Sequence, residues 1–380
     1  MLLPLVKTRA AWALAFSFCF ALPVFAADKP QYEIGEFQIP PASPYEPKLA
    51  EVSIQKARVY LEQGSVAWTS QKKCISCHTN GIYMTVRPSL VPSLGKLQES
   101  QRQFFLDTLK TMSTEAPDKL RASTRKLRAS TRPGQLIYLA AGLAEWDAQI
   151  TKTLSPETSQ ALELMFSIQT EPGTWGTLDC WPPYESDAYH EATVAMMAAA
   201  TAPGWLANAE ASGSEALKGQ IAKLKNYLRT TPPLHDYSRV LLLWAGTRTP
   251  GLVDDSLKTE LLAKLASHQR EDGGWSIRTF AAPEAWGKGN RAEKLKAEPD
   301  FASPASDGHM TGLAIIVMRE AGVPADDPRI QKGLAWLKTN QRESGRWWTR
   351  SLNTDSWHYI TYSGTAFPLL ALQMCGELKP

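Results

Sequence analysis

The chain has little excess charge of either sign. Its 380 residues include 41 lysines and arginines against 38 aspartates and glutamates, for a net charge of +3. Lys7 and Arg9 lie in a segment that the sequence predicts to be removed, and without them the chain is nearly neutral. Because nucleic-acid binders carry concentrated positive charge, we expect no nucleic-acid partner.

The first apolar run is shorter than a membrane-spanning helix requires, and it lies close to the first residue of the chain. It extends from Ala10 to Leu22, follows two positive residues, and is followed by Val24-Phe25-Ala26. This pattern is typical of a secretory signal peptide, residues 1–26, cut after Ala26. We therefore expect a periplasmic or secreted protein with no transmembrane span after signal removal.

Cysteine is scarce, and its placement is informative. Of five cysteines, Cys74 and Cys77 belong to the pentapeptide Cys-Ile-Ser-Cys-His78, which has the spacing of a c-type haem attachment site. Two thiols at this spacing reach the two vinyl groups of one porphyrin, and His78 then ligates the iron. We predict one covalent haem c, in agreement with export, because this attachment occurs outside the cytoplasm.

Two other interpretations of the cysteine pair stay open. They are a plain disulfide and half of a zinc site, although zinc needs two further Cys or His ligands and no second pair at such short spacing exists. If Cys74 and Cys77 hold haem, Cys180 and Cys375 remain, either as one disulfide or as two buried thiols.

The second axial ligand of the iron is a separate question. The candidates are Met84, Met112, Met310 or a cavity histidine, and an open position is the remaining alternative. Met84 follows His78 by six residues, near the limit for the roughly 20 Å path to the opposite face of a porphyrin. A sulfur ligand would favour electron transfer, whereas an open position would permit peroxide or oxygen chemistry.

Strand-like alternation is nearly absent, and helical periodicity dominates after a proline-rich arm at 27–50, which we expect to lie extended on the surface. One class of helix is amphipathic, with apolar residues at Leu217, Ile221, Leu224 and Leu228; Leu257, Leu261 and Leu265; and Ile330, Leu334 and Leu337. A second class is apolar on nearly every side, at 192–200, 240–245, 313–318 and 366–374. Because helices of the second class must be buried all round, the alternation predicts an outer ring around an inner ring.

The joints between these layers carry an internal repeat. The pattern Gln-x-x-x-Gly-x-Trp occurs at Gln169–Trp175, Gln269–Trp275 and Gln341–Trp347, each time after an amphipathic helix. We expect the glycine to end the helix with a positive φ. We also expect the tryptophan to fold back over that helix and the glutamine to tie neighbouring backbone.

These joints are similar to the QW repeats of squalene-hopene cyclases, lanosterol synthases and related prenyltransferase folds, over about residues 155–375. The resemblance implies an all-α fold, an α/α toroid of inner and outer helix rings with a central cavity. The haem motif departs from the cyclases, although it resembles a bacterial group that joins CxxCH to such repeats. Residues 51–112 are then either the first toroid repeat or a small cytochrome c-like unit, followed by a basic loop at 113–134 and toroid repeats over 135–380.

Polar, histidine-bearing phrases begin the inner helices. If helix starts face one end of the toroid, these groups gather at one mouth of its cavity and can act as acid or base, as metal ligands or as the sixth iron ligand. The alternative is that the aspartates cap helices and the histidines complete local hydrogen bonds. The catalytic candidates are Asp187, His190, His235, Asp307, His309 and His358.

Cyclisation is disfavoured, because the resembling cyclases use an Asp-x-Asp-Asp acid that this chain lacks. Asp254-Asp255 and Asp326-Asp327 are expected to cap helices at turns instead. The perfect tandem heptad at 119–132 predicts a solvated basic segment, or a docking patch for an acidic redox partner or an anionic membrane surface.

The sequence therefore predicts an exported monohaem protein that acts in electron transfer or in haem-linked redox chemistry on a ligand in the toroid cavity, for which a hydrophobic small molecule is the candidate. Two alternatives remain open. One is a cavity enzyme acting on a terpenoid-like lipid or a polysaccharide, and the other is a non-catalytic binding or scaffold module.

Overall fold

The computed structural model describes residues 29–35, 37–121, 132–176, 182–184, 187–354 and 356–378. The predicted signal peptide, Cys180, Asp355 and most of the tandem heptad lie outside these ranges, so the predictions about them stay predictions. In the described ranges, no helix has both the length and the apolar character that crossing a membrane requires.

Helices are the main secondary structure of the described residues, with almost no sheet, which confirms the predicted fold class. A single hairpin pairs β1 (Tyr32–Ile34) with β2 (Phe37–Ile39). The α-helices are α1 (Ile54–Lys72), α2 (Asn80–Val86), α3 (Val91–Leu94), α4 (Glu99–Met112), α5 (Pro117–Arg121), α6 (Arg132–Trp146), α7 (Pro156–Ser167), α8 (Ala188–Thr201), α9 (Trp205–Ser212), α10 (Glu215–Thr230), α11 (Asp236–Arg248), α12 (Asp255–Ser267), α13 (Ala292–Lys296), α14 (Gly308–Glu320), α15 (Pro328–Asn340) and α16 (Ile360–Met374).

Two concentric rings of helices form an α/α toroid. The inner ring runs α2, α6, α8, α11, α14, α16, with each helix packed on the next and α16 packed on α2. The outer helices α1, α4, α7, α10, α12 and α15 pack against the inner ones. As the periodicity predicted, α8, α14 and α16 are buried along almost their whole length, whereas α10 and α15 bury one face.

The tryptophan and glycine of each joint act as predicted. Each indole N–H donates to a carbonyl ten residues earlier in its own outer helix, at 2.7–3.0 Å. The three glycines, Gly173, Gly273 and Gly345, have φ values of 92°, 89° and 86°. A Cβ on any of them would lie within 2.7 Å of backbone atoms of the next outer helix. Glycine therefore allows both the turn and the close approach of two outer helices.

The glutamine of each joint ties one outer helix to another. Gln169 donates to the carbonyl of Gln220 in α10 at 3.1 Å, and Gln269 donates to that of Arg329 in α15 at 2.8 Å. Gln341 donates to the carbonyl of Ser53, the N-cap of α1, at 3.0 Å. The third joint therefore closes the outer ring.

The N-terminal arm differs from the predicted surface leader, because two of its contacts are buried. Tyr32 is only 3% exposed and its hydroxyl lies 2.8 Å from the hydroxyl of Thr79. The buried guanidinium of Arg346 donates to the carbonyl of Pro40 at 2.8 Å and stacks on the ring of Tyr60. The arm thus packs over the seam between the two ends of the ring.

Candidate functional site

The Cys-x-x-Cys-His pentapeptide forms a rigid loop directly before α2, the first inner helix. The side chain of Asn80 accepts from the backbone N–H of Ser76 at 2.8 Å and donates to the carbonyl of Cys74 at 3.0 Å. A Cβ at Gly81 would lie 2.2 Å from the carbonyl oxygen of Ser76, so glycine lets helix and loop meet. Cys74 is partly exposed and Cys77 is buried, and both are thiols.

His78 is fixed by contacts on several sides of its ring. Its Nδ1 lies 2.8 Å from the hydroxyl of Thr79. The imidazole stacks on Tyr359, with centroids 4.8 Å apart and planes 13° apart, and the ring of Trp68 meets it edge-on at 4.5 Å. Desolvation by these neighbours lowers the pKa of His78 to about 3. The imidazole is therefore neutral at physiological pH.

These features fit an axial haem ligand. Metal-binding histidines use one ring nitrogen for a hydrogen bond that fixes ring and tautomer, which leaves the other for the metal. Among the described residues no hydrogen-bond partner reaches Nε2 of His78, and the ring keeps partial exposure. The donor set of two thiols and one neutral imidazole is the set that c-type attachment needs.

The methionine candidates for the second axial position are all fully buried. Met84 does not fit, because it lies in α2 and a helix rises only about 1.5 Å per residue, far short of the roughly 20 Å path. Met112 lies in the outer helix α4 and Met310 begins the inner helix α14. For these two the assignment stays a prediction.

Two of the predicted histidines meet tyrosines at the mouth of the toroid, the end where the inner helices begin. His190 Nε2 lies 3.1 Å from the hydroxyl of Tyr138, and His309 Nε2 lies 3.2 Å from that of Tyr237. His309 Nδ1 lies 2.7 Å from the hydroxyl of Ser363. Burial lowers the pKa of His190 to about 4 and that of His309 to about 3, so both are neutral.

The predicted aspartates cap inner helices. Asp187 accepts from the backbone N–H of His190 at 2.7 Å, and Asp307 accepts from that of Met310 at 2.9 Å. Burial alone would raise the pKa of Asp187, but His235, whose Nε2 lies 3.5 Å from the carboxylate, helps to hold it below its ordinary value. In the outer ring, Asp254 and Asp327 cap α12 and α15, as predicted.

His235 and His358 each accept a hydrogen bond from a backbone N–H close by in the sequence. His235 is the N-cap of α11, and its Nδ1 accepts from the backbone N–H of Ser238 at 3.1 Å. His358 Nδ1 accepts from the backbone N–H of Ser351 at 2.9 Å. These contacts correspond to the capping and hydrogen-bonding alternative, and a catalytic or iron-binding role of the histidine phrases stays a prediction.

The titration of Asp307 gives a testable pH dependence. Burial raises the pKa of this carboxyl to about 6, against the hydrogen bonds from Met310 and Ile277. Because the folded state then holds a proton that the unfolded state has released, the carboxyl stabilises the fold less as pH rises from about 4 to about 6. The free energy of unfolding of Asp307→Asn, measured by urea denaturation, should therefore rise relative to wild type by about 2–3 kcal/mol across this window. A difference that stays constant with pH would contradict the shift.

A narrow cavity of about 60 Å³ runs between the inner helices. Along α8 it extends from His190 at the mouth to Thr201, about 16 Å at 1.5 Å per residue. Its middle is apolar, lined by Ala141, Val194, Ala198, Leu241 and Leu313. Drug-sized ligand pockets hold about 300–1,000 Å³, several times the volume of this cavity.

A partly buried ion cluster lines the far end of the cavity. Arg248 pairs with Glu145 in α6 and with Glu320 in α14, the latter at 2.9 Å, and also donates to the hydroxyl of Thr201 in α8 at 2.9 Å. Its guanidinium stacks on Trp244. These contacts join the C-terminal ends of the four inner helices α6, α8, α11 and α14. A cation is favourable at this position because helix C-termini carry partial negative charge.

Some residues of the site were missed by sequence reasoning. Trp286 lies in the connection before α14 and packs on His235 at 4.6 Å and on Tyr237 at 5.7 Å, so it covers part of the mouth. Thr79 and Trp68 next to His78 were missed as well. Neither belongs to the Cys-x-x-Cys-His pattern, so no spacing rule selects them.

Comparisons with known proteins identify no family. No family model matches the chain, and no curated protein matches it. Among solved structures, the chain is similar to a glycosidase variant in complex with glucose, with 11% identity, a TM-score of 0.47, and coverage of 86% of this chain and 100% of that one. The toroid described above rests on helix packing within this chain.

Proposed function

We propose that this chain is an exported monohaem c-type protein that acts in electron transfer or haem-linked redox chemistry at the mouth of the toroid. Cys74 and Cys77 would hold the haem through thioethers, and His78 would be one axial ligand. When bound, the haem supplies one-electron redox chemistry. The observation that carries the proposal is the state of His78, which is neutral, anchored through Nδ1 and without a partner at Nε2 among the described residues.

The residues around His78 set the properties of such a ligand. The Thr79 hydroxyl orients the imidazole, and the Tyr32 hydroxyl, 2.8 Å away, fixes Thr79 in turn. Outer partners of this kind make a histidine a stronger ligand and tune the site that it binds. Tyr359 and Trp68 exclude water from two sides of the ring.

Covalent attachment is the direct test. The full chain, secreted by a bacterial host that expresses the haem-attachment machinery, should give a pyridine haemochrome spectrum with one haem per chain. Its mass should exceed that of the polypeptide by one haem. Cys74→Ser combined with Cys77→Ser should abolish the covalent haem, because no thioether can form.

Cys375→Ser is the matched control. Cys375 is a partly exposed thiol at the end of α16, so its substitution should leave haem content unchanged. An exported, folded wild-type chain without covalent haem would refute the proposal. Equal loss of haem in Cys375→Ser would show that the effect comes from cysteine removal in general and not from the pentapeptide.

A further inference from the structure

The size of the axial cavity restricts what can occupy it. With about 60 Å³, it has room for roughly four to six non-hydrogen atoms, since a cavity needs about 10–15 Å³ of such space to hold one water. A ligand that fits without rearrangement of the lining must therefore be very small.

A histidine that borders the cavity carries a buried ring nitrogen without a hydrogen-bond partner. His190 is 3% exposed, and among the described residues its Nδ1 has no such partner. The other ring nitrogen is satisfied by Tyr138. A buried polar group without a partner costs about 1–3 kcal/mol, so a molecule that bonds to Nδ1 would remove a penalty already present in the fold.

The electrostatics of the lining select against charge. His190 is neutral because burial lowers its pKa to about 4. The charged side chains at the far end, Arg248 and Glu145, are paired with each other. An ion in the cavity would therefore be desolvated without a counter-charge of its own, which is strongly unfavourable.

We propose that the axial cavity is a binding site for a small uncharged molecule with a hydroxyl or amide group, hydrogen-bonded to Nδ1 of His190. This goes beyond haem attachment and does not depend on it. The site lies at the mouth from which the inner helices start, the same end that carries the Cys-x-x-Cys-His loop.

Nuclear magnetic resonance of protein labelled with ¹⁵N-histidine tests the proposal. The probes are methanol and formamide, with methylammonium and formate as charged molecules of matching size. The neutral probes should shift the ring nitrogens of His190 saturably. Their affinity should be on the order of millimolar, the range available to so few atoms. The charged probes should produce no saturable shift.

Ala198→Val places two methyl groups in the cavity and should weaken formamide binding by about tenfold or more. Ala200→Val is the matched control, since Ala200 belongs to the same helix, is partly exposed and does not line the cavity. The affinity of Ala200→Val for formamide should equal that of wild type. Absence of any saturable shift, equal binding of charged and neutral probes, or equal binding by both variants would overturn the proposal. The comparison of probes on wild type holds even if Ala198→Val does not fold.

Discussion

Gly345→Ala is expected to lower the free energy of unfolding by about 3–4 kcal/mol, a large loss for a single methyl group. Part of this loss is conformational, because φ at this position is 86° and an L side chain costs about 1–2 kcal/mol there. The rest is steric. The new Cβ would lie 2.4 Å from the carbonyl carbon of Lys56 and 2.6 Å from the nitrogen of Ala57, and such overpacking costs about 1–3 kcal/mol.

Gly322→Ala separates the two contributions. Gly322 has φ 92°, almost the value of Gly345, but no atom lies within 4 Å of its added Cβ. This variant should lose only the conformational part, about 1–2 kcal/mol. Urea denaturation monitored by circular dichroism measures the free energy of unfolding of both variants. Equal losses in the two variants would show that the approach of α1 to the third joint contributes nothing to stability.

Arg248→Met should have an effect of similar size at the opposite end of the toroid. The variant leaves the buried Glu145 and the partly exposed Glu320 without their cation. Breaking a fully buried ion pair from one side costs about 3–5 kcal/mol, and the loss here should lie at the lower end of that range because the Arg248 side chain is 23% exposed. Burial alone raises the pKa of Glu320, and the charge and hydrogen bonds of Arg248 reverse this to a pKa below the ordinary value. Without Arg248 the carboxyl should therefore have a raised pKa.

Two measurements check this interpretation of Arg248. The stability deficit of Arg248→Met should be smaller at pH 4 than at pH 8, because the unpaired carboxyls can then be protonated. Combining Arg248→Met with Glu145→Gln and Glu320→Gln should recover most of the loss, since the triple variant buries no unpaired charge. A deficit that persists unchanged in the triple variant would instead point to lost packing of the arginine stem against Trp244.

The architecture followed from local signals in the sequence. Apolar residues on every side predicted the inner helices, and one-faced patterns predicted the outer ones, because burial acts on each helix separately. The joints were equally predictable, since the indole hydrogen bond of Trp275 and the positive φ of Gly273 stay within one helix end. The second hydrogen bond of each glutamine depends on which outer helix lies next to the joint in the folded ring. The resemblance to the toroid family supplied that order of helices.

The surroundings of the candidate sites were less predictable, because they depend on contacts between distant segments. Thr79 is next to His78, but its partner Tyr32 comes from an arm that looked featureless. The cavity volume depends on the packing of six helices, which no periodicity encodes. Arg248 gave no signal either, because its carboxylates come from helices about 70 and 100 residues away.

The surroundings of His78 also set the order of events during biosynthesis. The ring is stacked on Tyr359, 281 positions later in the chain, so the stack cannot form until the chain has been made as far as Tyr359 and that segment has folded back onto His78. Contacts at such sequence separation form late, because the entropy of a long loop must be overcome first. Until then the pentapeptide lacks part of its shielding. An enzyme that attaches a group to the sulfurs of Cys74 and Cys77 would therefore find them more accessible in the nascent chain than in the folded protein.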